Sequence, residues 1–171
     1  MDETSRAQIS AGLLKAIQAE QDGYHFYLMA ARNTEDRQGR EVFEKLAQEE
    51  LDHNRYLRHQ YEHIQATGAA DPDFKLEHKV DLSGESPIFS SVLRARIKQA
   101  HFEMSSLSIA IQLELSAMSF YKEQAGASAD PTVKRFFQEL ASWEGTHYHA
   151  LLRQQESLKG DYWNDGGFSP F

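Results

Sequence analysis

The chain has 171 residues, a formal net charge of −8 and 40% hydrophobic residues, which suits one domain with a sizeable core. The acid excess leaves no basic stripe for nucleic acid or an anionic membrane, and no apolar run approaches the ~18 residues that a membrane span needs. The sequence contains no cysteine, which removes disulfides, thiolate nucleophiles, iron–sulfur clusters and Cys-ligated zinc. The polar start Met1-Asp2-Glu3-Thr4-Ser5-Arg6 lacks the basic and apolar regions of a signal peptide, so a cytoplasmic protein is expected.

In chain order, Thr4 or Ser5 is placed to cap a first helix running to about Asn33, with Leu13, Leu14, Ile17, Tyr24, Tyr27 and Leu28 near a helical apolar period and Glu20 in the inward stripe. Asn33-Thr34-Glu35-Asp36 reads as a turn whose Asp36 caps a second helix, carrying Val42, Phe43, Leu46, Glu50, His53, Leu57 and Ile64 and ended by Gly68. From Ala69 to Pro87 the periodicity lapses, which marks one long connection. A helix beginning near Pro87 or Ser90 runs through Val92, Leu93 and Ile97, and either continues or restarts around Ser105-Ser106 into a third main helix ending at Gly126. Asp130-Pro131 is a cap and first-turn pair for a fourth helix through Phe136, Phe137, Leu140, Glu144, His147 and Leu151 to about Lys159. The aromatic tail 161–171 shows no helical period, and it is expected to pack on the bundle or on a partner subunit.

The two halves are copies. Glu20, Tyr27, Glu50 and His53 return 94 positions later as Glu114, Tyr121, Glu144 and His147, and the same offset matches Ala16 with Ala110, Asp36 with Asp130, Phe43 with Phe137 and Leu46 with Leu140. The repeat halves span about 5–66 and 99–159, with a crossover of about 67–98 inside a single bundle of 1–160. A lone Glu-x-x-His on a helix is usually a solvated pair one turn apart. Two in repeat register, each with a glutamate on a neighbouring helix, make the ligand pattern of a dinuclear carboxylate site.

Each glutamate lies at the same distance from its own turn, so in an antiparallel hairpin Glu20 faces Glu50, and Glu114 faces Glu144. The long connection can cross the bundle and set the second and third helices parallel, which brings all six ligands to one level. Four carboxylates balance two divalent cations while two neutral imidazoles add no charge. Carboxylate and imidazole donors suit iron or manganese; zinc binds such a set without redox chemistry.

This constellation resembles rubrerythrin-type members of the ferritin-like superfamily. The resemblance implies an all-α, ferritin-like four-helix bundle built from two duplicated hairpins. It implies two iron ions, with manganese or a mixed pair as alternatives. Glu20 and Glu114 would be terminal ligands, Glu50 and Glu144 bridges, and His53 and His147 would bind one metal each. The implied activity is a non-haem di-iron oxidoreductase of peroxidase or oxidase type, reducing peroxide or dioxygen with electrons from an external donor protein, in a homodimer or larger homo-oligomer.

Tyr27 and Tyr121 are either donors behind the ligands or packed core tyrosines, and Trp143 reads as core. His25, His59, His63, His78, His101 and His149 have no partner at repeat spacing and read as surface or packing residues. Where rubrerythrins carry a further glutamate one turn after the third-helix ligand, this chain has Ala117, and the remaining six ligands also resemble a bacterioferritin ferroxidase centre. An iron-storage ferroxidase and a non-catalytic helical bundle are the alternative readings.

Overall fold

The computed structural model describes residues 2–76 and 87–166, the stretch 162–166 by its backbone alone. The elements are α1 (Glu3–Asn33), α2 (Arg37–Thr67), a short α3 (Ser91–Ala95), a 3₁₀ turn at Ile97–Gln99, α4 (His101–Ala127) and α5 (Pro131–Gly166). No strand occurs among the described residues, and no helix among them is long and apolar enough to cross a membrane.

Local chemistry sets most of the boundaries. The Asp36 carboxylate accepts the Gly39 amide at 2.8 Å, and Asp130 accepts those of Thr132 and Val133 at 2.9 and 3.1 Å, so both predicted caps form. Gly68, with φ of 76°, supplies the left-handed residue that stops α2. The cap of α1 is Asp2 rather than Thr4 or Ser5: its carboxylate takes the Ser5 amide at 2.8 Å and the Ser5 hydroxyl at 3.0 Å. An acid there also complements the positive end of the helix dipole.

Cross-helix contacts fix the topology. Asn54 donates to the Ile17 carbonyl at 2.7 Å and Gln65 to Ser10 at 2.7 Å, which runs α1 and α2 antiparallel. Gln155 reaches Ser108 at 2.7 Å, and His147 lies 3.6 Å from Glu114, so α4 and α5 are antiparallel too. Tyr27 donates to Glu114 and Tyr121 to Glu20, an antiparallel register between α1 and α4. Helices α2 and α4 are therefore parallel, as the long crossover requires, and the fold is a ferritin-like helical bundle.

The connection does not run as one helix into α4. It breaks between Arg96 and Ala100 and restarts at His101, ahead of the expected Ser105-Ser106. Ile88, Phe89, Leu93, Ile97 and Ala100 are all buried, so this segment is a hydrophobic cover whose direction must change before it joins the bundle axis. Phe89 packs edge-on against Phe43, with centroids 6.2 Å apart, and the Ser90 hydroxyl donates to the Asp36 carboxylate that also caps α2. Glu103, in the first turn of α4, accepts from the Thr34 hydroxyl at 3.0 Å and the Glu35 amide at 3.3 Å. Helix α5 continues past Lys159 to Gly166, into the stretch expected to be an irregular tail. Buried Leu158 and the Arg94–Asp161 pair at 2.7 Å hold this last part against α3. Residues 167–171 of that tail lie outside the described residues, as does His78.

The core forms two layers. One contains Tyr27, Phe43, Leu46, Leu107, Ile111 and Leu151; the other contains Leu13, Ile17, Leu57, Tyr121, Phe137 and Leu140. On each long helix the sequence between its two contributions holds the candidate ligands, so the polar residues occupy a level sealed above and below by apolar side chains.

Candidate metal centre

Glu20 comes from α1, Glu50 and His53 from α2, Glu114 from α4, and Glu144 and His147 from α5; all six are buried, none more than 7% exposed. They form two groups whose ligand atoms lie within 4.8 Å of one another: Glu20, Glu50, His53 and Glu144, and Glu114, Glu144 and His147. Glu144 belongs to both groups and Glu50 to the first alone. Glu144 is therefore the residue that the two groups share, at one of the two positions to which the resemblance gives a bridging role. Glu50 lies against Gly23, where a Cβ would come within 3.1 Å of its carboxyl carbon, so the missing side chain makes room for a ligand.

The imidazoles present Nδ1 to the centre. His53 Nδ1 lies 3.0 Å from Glu144 Oε1 and 3.3 Å from Glu20 Oε2; His147 Nδ1 lies 3.6 Å from both Glu114 Oε2 and Glu144 Oε2. Among the described residues neither carboxylate oxygen of Glu144, nor Oε2 of Glu114, has a hydrogen-bond partner of acceptable geometry. Buried carboxylate oxygens without donors are costly unless a cation takes them. The donor set therefore fits two divalent metal ions: oxygen and nitrogen only, four carboxylates, and buried carboxylate oxygens that make no hydrogen bond.

Without cations the charges compete for protons. Burial, then the neighbouring Glu20 carboxylate, pushes Glu50 well above the usual carboxylate range, and burial with Glu144 beside it raises Glu114 to about 8. For His53 burial acts downward, but Glu144 and Glu20 outweigh it and hold the imidazole at about 10. Glu144, also opposed by burial, is kept ionised chiefly by His53. Protons thus stand where the structure has room for cations, and loading metal must expel them.

The tyrosines are hydrogen-bond donors to two of the candidate ligands rather than simple packing. Tyr27 crosses to Glu114 and Tyr121 to Glu20, each reaching the glutamate of the opposite hairpin, and each rests against the phenylalanine of its own hairpin: Phe43 at 6.3 Å and Phe137 at 5.9 Å. Burial, reinforced by Glu114 for Tyr27 and Glu20 for Tyr121, raises both phenols well above 10, so they stay protonated and keep donating.

Beside these residues a cavity of about 360 Å³ runs from exposed Lys15, Asp22 and Ser116 to Glu20, Glu50 and Glu114. Leu113, Ala117 and Phe120 form part of its wall. It gives a small molecule a path to the carboxylates between α1 and α4.

Two residues escaped the sequence reading. Glu49, 4% exposed, places Oε2 2.5 Å from His147 Nε2. Trp143, expected in the core, is half-buried and stacks on His53 with centroids 5.7 Å apart and planes 19° apart. These positions are equivalent under the 94-residue offset, and that offset was the available signal: each lies four residues before its own helix's histidine, yet touches the histidine of the other hairpin. The remaining described histidines stay outside the centre. His59 pairs with Asp71 at 2.8 Å and stacks on Phe74, His63 meets the Ala69 carbonyl at 2.9 Å, His25 meets Gln21 at 2.8 Å, and His101 and His149 are exposed.

A model of the family described as Rubrerythrin matches residues 12–108 and 105–164. That family implies a di-iron carboxylate site, and the two buried Glu/His groups are residues of that kind. No curated protein and no solved structure matched in the corresponding comparisons. With the family model covering most of its length, the chain belongs to the rubrerythrin family.

Proposed function

We propose that this protein is a non-haem dinuclear metal oxidoreductase that reduces peroxide or dioxygen with electrons from an external donor protein, acting in the cytoplasm as a homodimer or larger homo-oligomer. The proposed ligands are Glu20, Glu50, His53, Glu114, Glu144 and His147, and the metal is iron, with manganese as the alternative. The observation that carries this reading is the shared position of Glu144 between two groups of buried carboxylates and imidazoles, where neither of its oxygens makes a well-formed hydrogen bond.

A bound iron pair supplies the two electrons needed to reduce an O–O bond. The chain's own groups do the rest. Tyr27 and Tyr121 hold the terminal glutamates Glu114 and Glu20 in place by hydrogen bonds. The cavity along α1 and α4 admits a molecule the size of peroxide, while the apolar layers on either side keep bulk water from the carboxylates.

Anaerobic loading with Fe²⁺, elemental analysis and rapid mixing with peroxide or dioxygen test the proposal. About two irons per chain, oxidised by peroxide or dioxygen and turned over with an added reductant, are expected. A protein that takes up no Fe²⁺, Mn²⁺ or Zn²⁺ overturns it. The second reading, a ferroxidase feeding iron storage, draws on Ala117 lining the cavity and leaving six ligands. It predicts a large hollow assembly with many irons per chain.

A further inference from the structure

A passage that only delivered hydrogen peroxide to the carboxylates would need room for two oxygen atoms. The cavity between α1 and α4 measures about 360 Å³, several times that need and inside the ~300–1,000 Å³ of sites that take organic ligands. Two larger cavities, of about 570 and 480 Å³, touch none of the six candidate ligands. On the dinuclear reading above, we propose that this cavity holds the organic part of the substrate, and that the peroxide reduced is a small, uncharged organic hydroperoxide.

The walls follow from the repeat. Ala19 and Gly23 stand one turn apart on α1, and the 94-residue offset matches them with Leu113 and Ala117 on α4. The crossed bonds Tyr27–Glu114 and Tyr121–Glu20 set the register of these antiparallel helices, which brings Gly23 and Ala117 to one level. Neither has a side chain long enough to cross the gap. The floor is polar: Glu20, Glu50 and Glu114 are all buried there, and Glu114 Oε2 makes no hydrogen bond.

Wall chemistry selects the occupant. Between Met104 and Lys122 the only charged residue is Glu114, and Leu113, Ala117 and Phe120 line the cavity with carbon. A hydrated cation gains no oxygen ligand along such a wall, so the passage does not suit metal entry. Among the described residues that line it, Lys15 is the one cation; it stands exposed at the mouth, and the three glutamates below repel an anion. An uncharged organic group buries carbon against carbon while its hydroperoxide end meets the polar floor. In the reduction the O–O bond breaks, one oxygen stays on carbon as the alcohol and the other leaves as water. Two electrons from the external donor protein and two protons from solvent complete the balance.

The redox-silent probe is cumyl alcohol, the product of cumene hydroperoxide. It is titrated against the full chain loaded with Zn²⁺, and its proton relaxation is compared between the Zn²⁺ form and the paramagnetic Co²⁺ form. Saturable binding and faster relaxation in the Co²⁺ form are expected. Ala117→Leu and Ala19→Leu, which extend a side chain into the cavity from either helix, should each weaken that binding by about 10-fold or more. Position 19 is exposed, so A19L tests the cavity without repacking the bundle, and circular dichroism checks both variants. With iron and an added reductant, kcat/KM for cumene hydroperoxide should exceed that for hydrogen peroxide by about 10-fold.

An alcohol that fails to bind, relaxes alike in both metal forms, or binds A117L and A19L as tightly as wild type overturns the organic-substrate assignment and leaves the dinuclear reading standing. A preference for hydrogen peroxide does the same. Failure of wild type to take up Zn²⁺ or Co²⁺ overturns the dinuclear reading, and the substrate class with it.

Discussion

The two hairpins share a plan but differ at the points where each meets the rest of the molecule. Around the first, the α1–α2 turn is covered by the crossover: Asp36 both caps α2 and accepts from Ser90, and Glu103 ties Thr34 and Glu35 to α4. In the second, Asp130 does the capping through the Thr132 and Val133 amides. Near the candidate ligands the first hairpin has Gly23 and Glu49, and the second has Ala117 and Trp143 at the equivalent positions. What the halves have in common is the candidate ligand set and its tyrosines. The differences lie in the residues one layer behind, where a duplicated chain can diverge without losing the centre.

The strongest way to break the comparison is to remove a ligand. Glu144→Ala deletes the residue common to both groups and should abolish tight binding of both metals, whereas Glu114→Ala should lose one metal and keep most of the helix content. Metal-to-protein ratio, measured beside circular dichroism, checks both. Equal losses from the two substitutions would show that Glu144 does not occupy a shared position.

A second test uses protons in place of metals. In the metal-free fold Glu114 keeps its proton to about 8, whereas in the unfolded chain it ionises near 4.5. Between those values the native state binds more protons, so its stability falls as pH rises. His53 has the same sign: its folded value of about 10 exceeds the ordinary 6.5, and the stability it contributes below 6.5 is lost as pH rises through 10. The unfolding temperature of metal-free protein should therefore decline from about pH 5 to pH 9. Zn²⁺ should flatten that decline; a metal-free profile that rises over the same range would contradict the buried-proton account.

The turns offer a smaller contrast. Asp130→Ala removes a cap and should cost about 1 kcal/mol, while Asp36→Ala also releases Ser90 and the crossover and should cost about 2 kcal/mol or more. Urea denaturation of both variants measures the difference, and equal costs would mean that the crossover adds nothing at the first turn. The smallest effect is expected at the equivalent small residues. Gly23→Ala crowds Glu50 and should weaken metal binding by a few-fold, whereas Ala117→Gly should leave metal binding unchanged while costing about 1 kcal/mol of helix stability. Competitive titration with a metal chelator resolves changes of that size.

The sequence alone determined the bundle, the duplication, the two hairpin turns and the six candidate ligands. These depend on periodicity and cap chemistry along one helix, or on a repeat offset, and both are local or one-dimensional signals. The all-α reading followed from helical periodicity and caps, and the crossover, argued from the length of the connection, agrees with the parallel α2 and α4. The sequence was less informative where direction changes: Leu93 and Ile97 have helical spacing, and nothing in that spacing marks the break at Arg96–Ala100.

Only the tertiary structure decided which face of one helix meets which neighbour. Tyr27 lies on the same helix as Glu20 but bonds Glu114, and Glu49 shares a helix with His53 but backs His147. A helical period places a side chain on a stripe without naming the helix opposite, and in a four-helix bundle each buried stripe has more than one neighbour. That assignment comes from how the hairpins pack, and in this protein it makes two equivalent repeats into a centre with unequal surroundings.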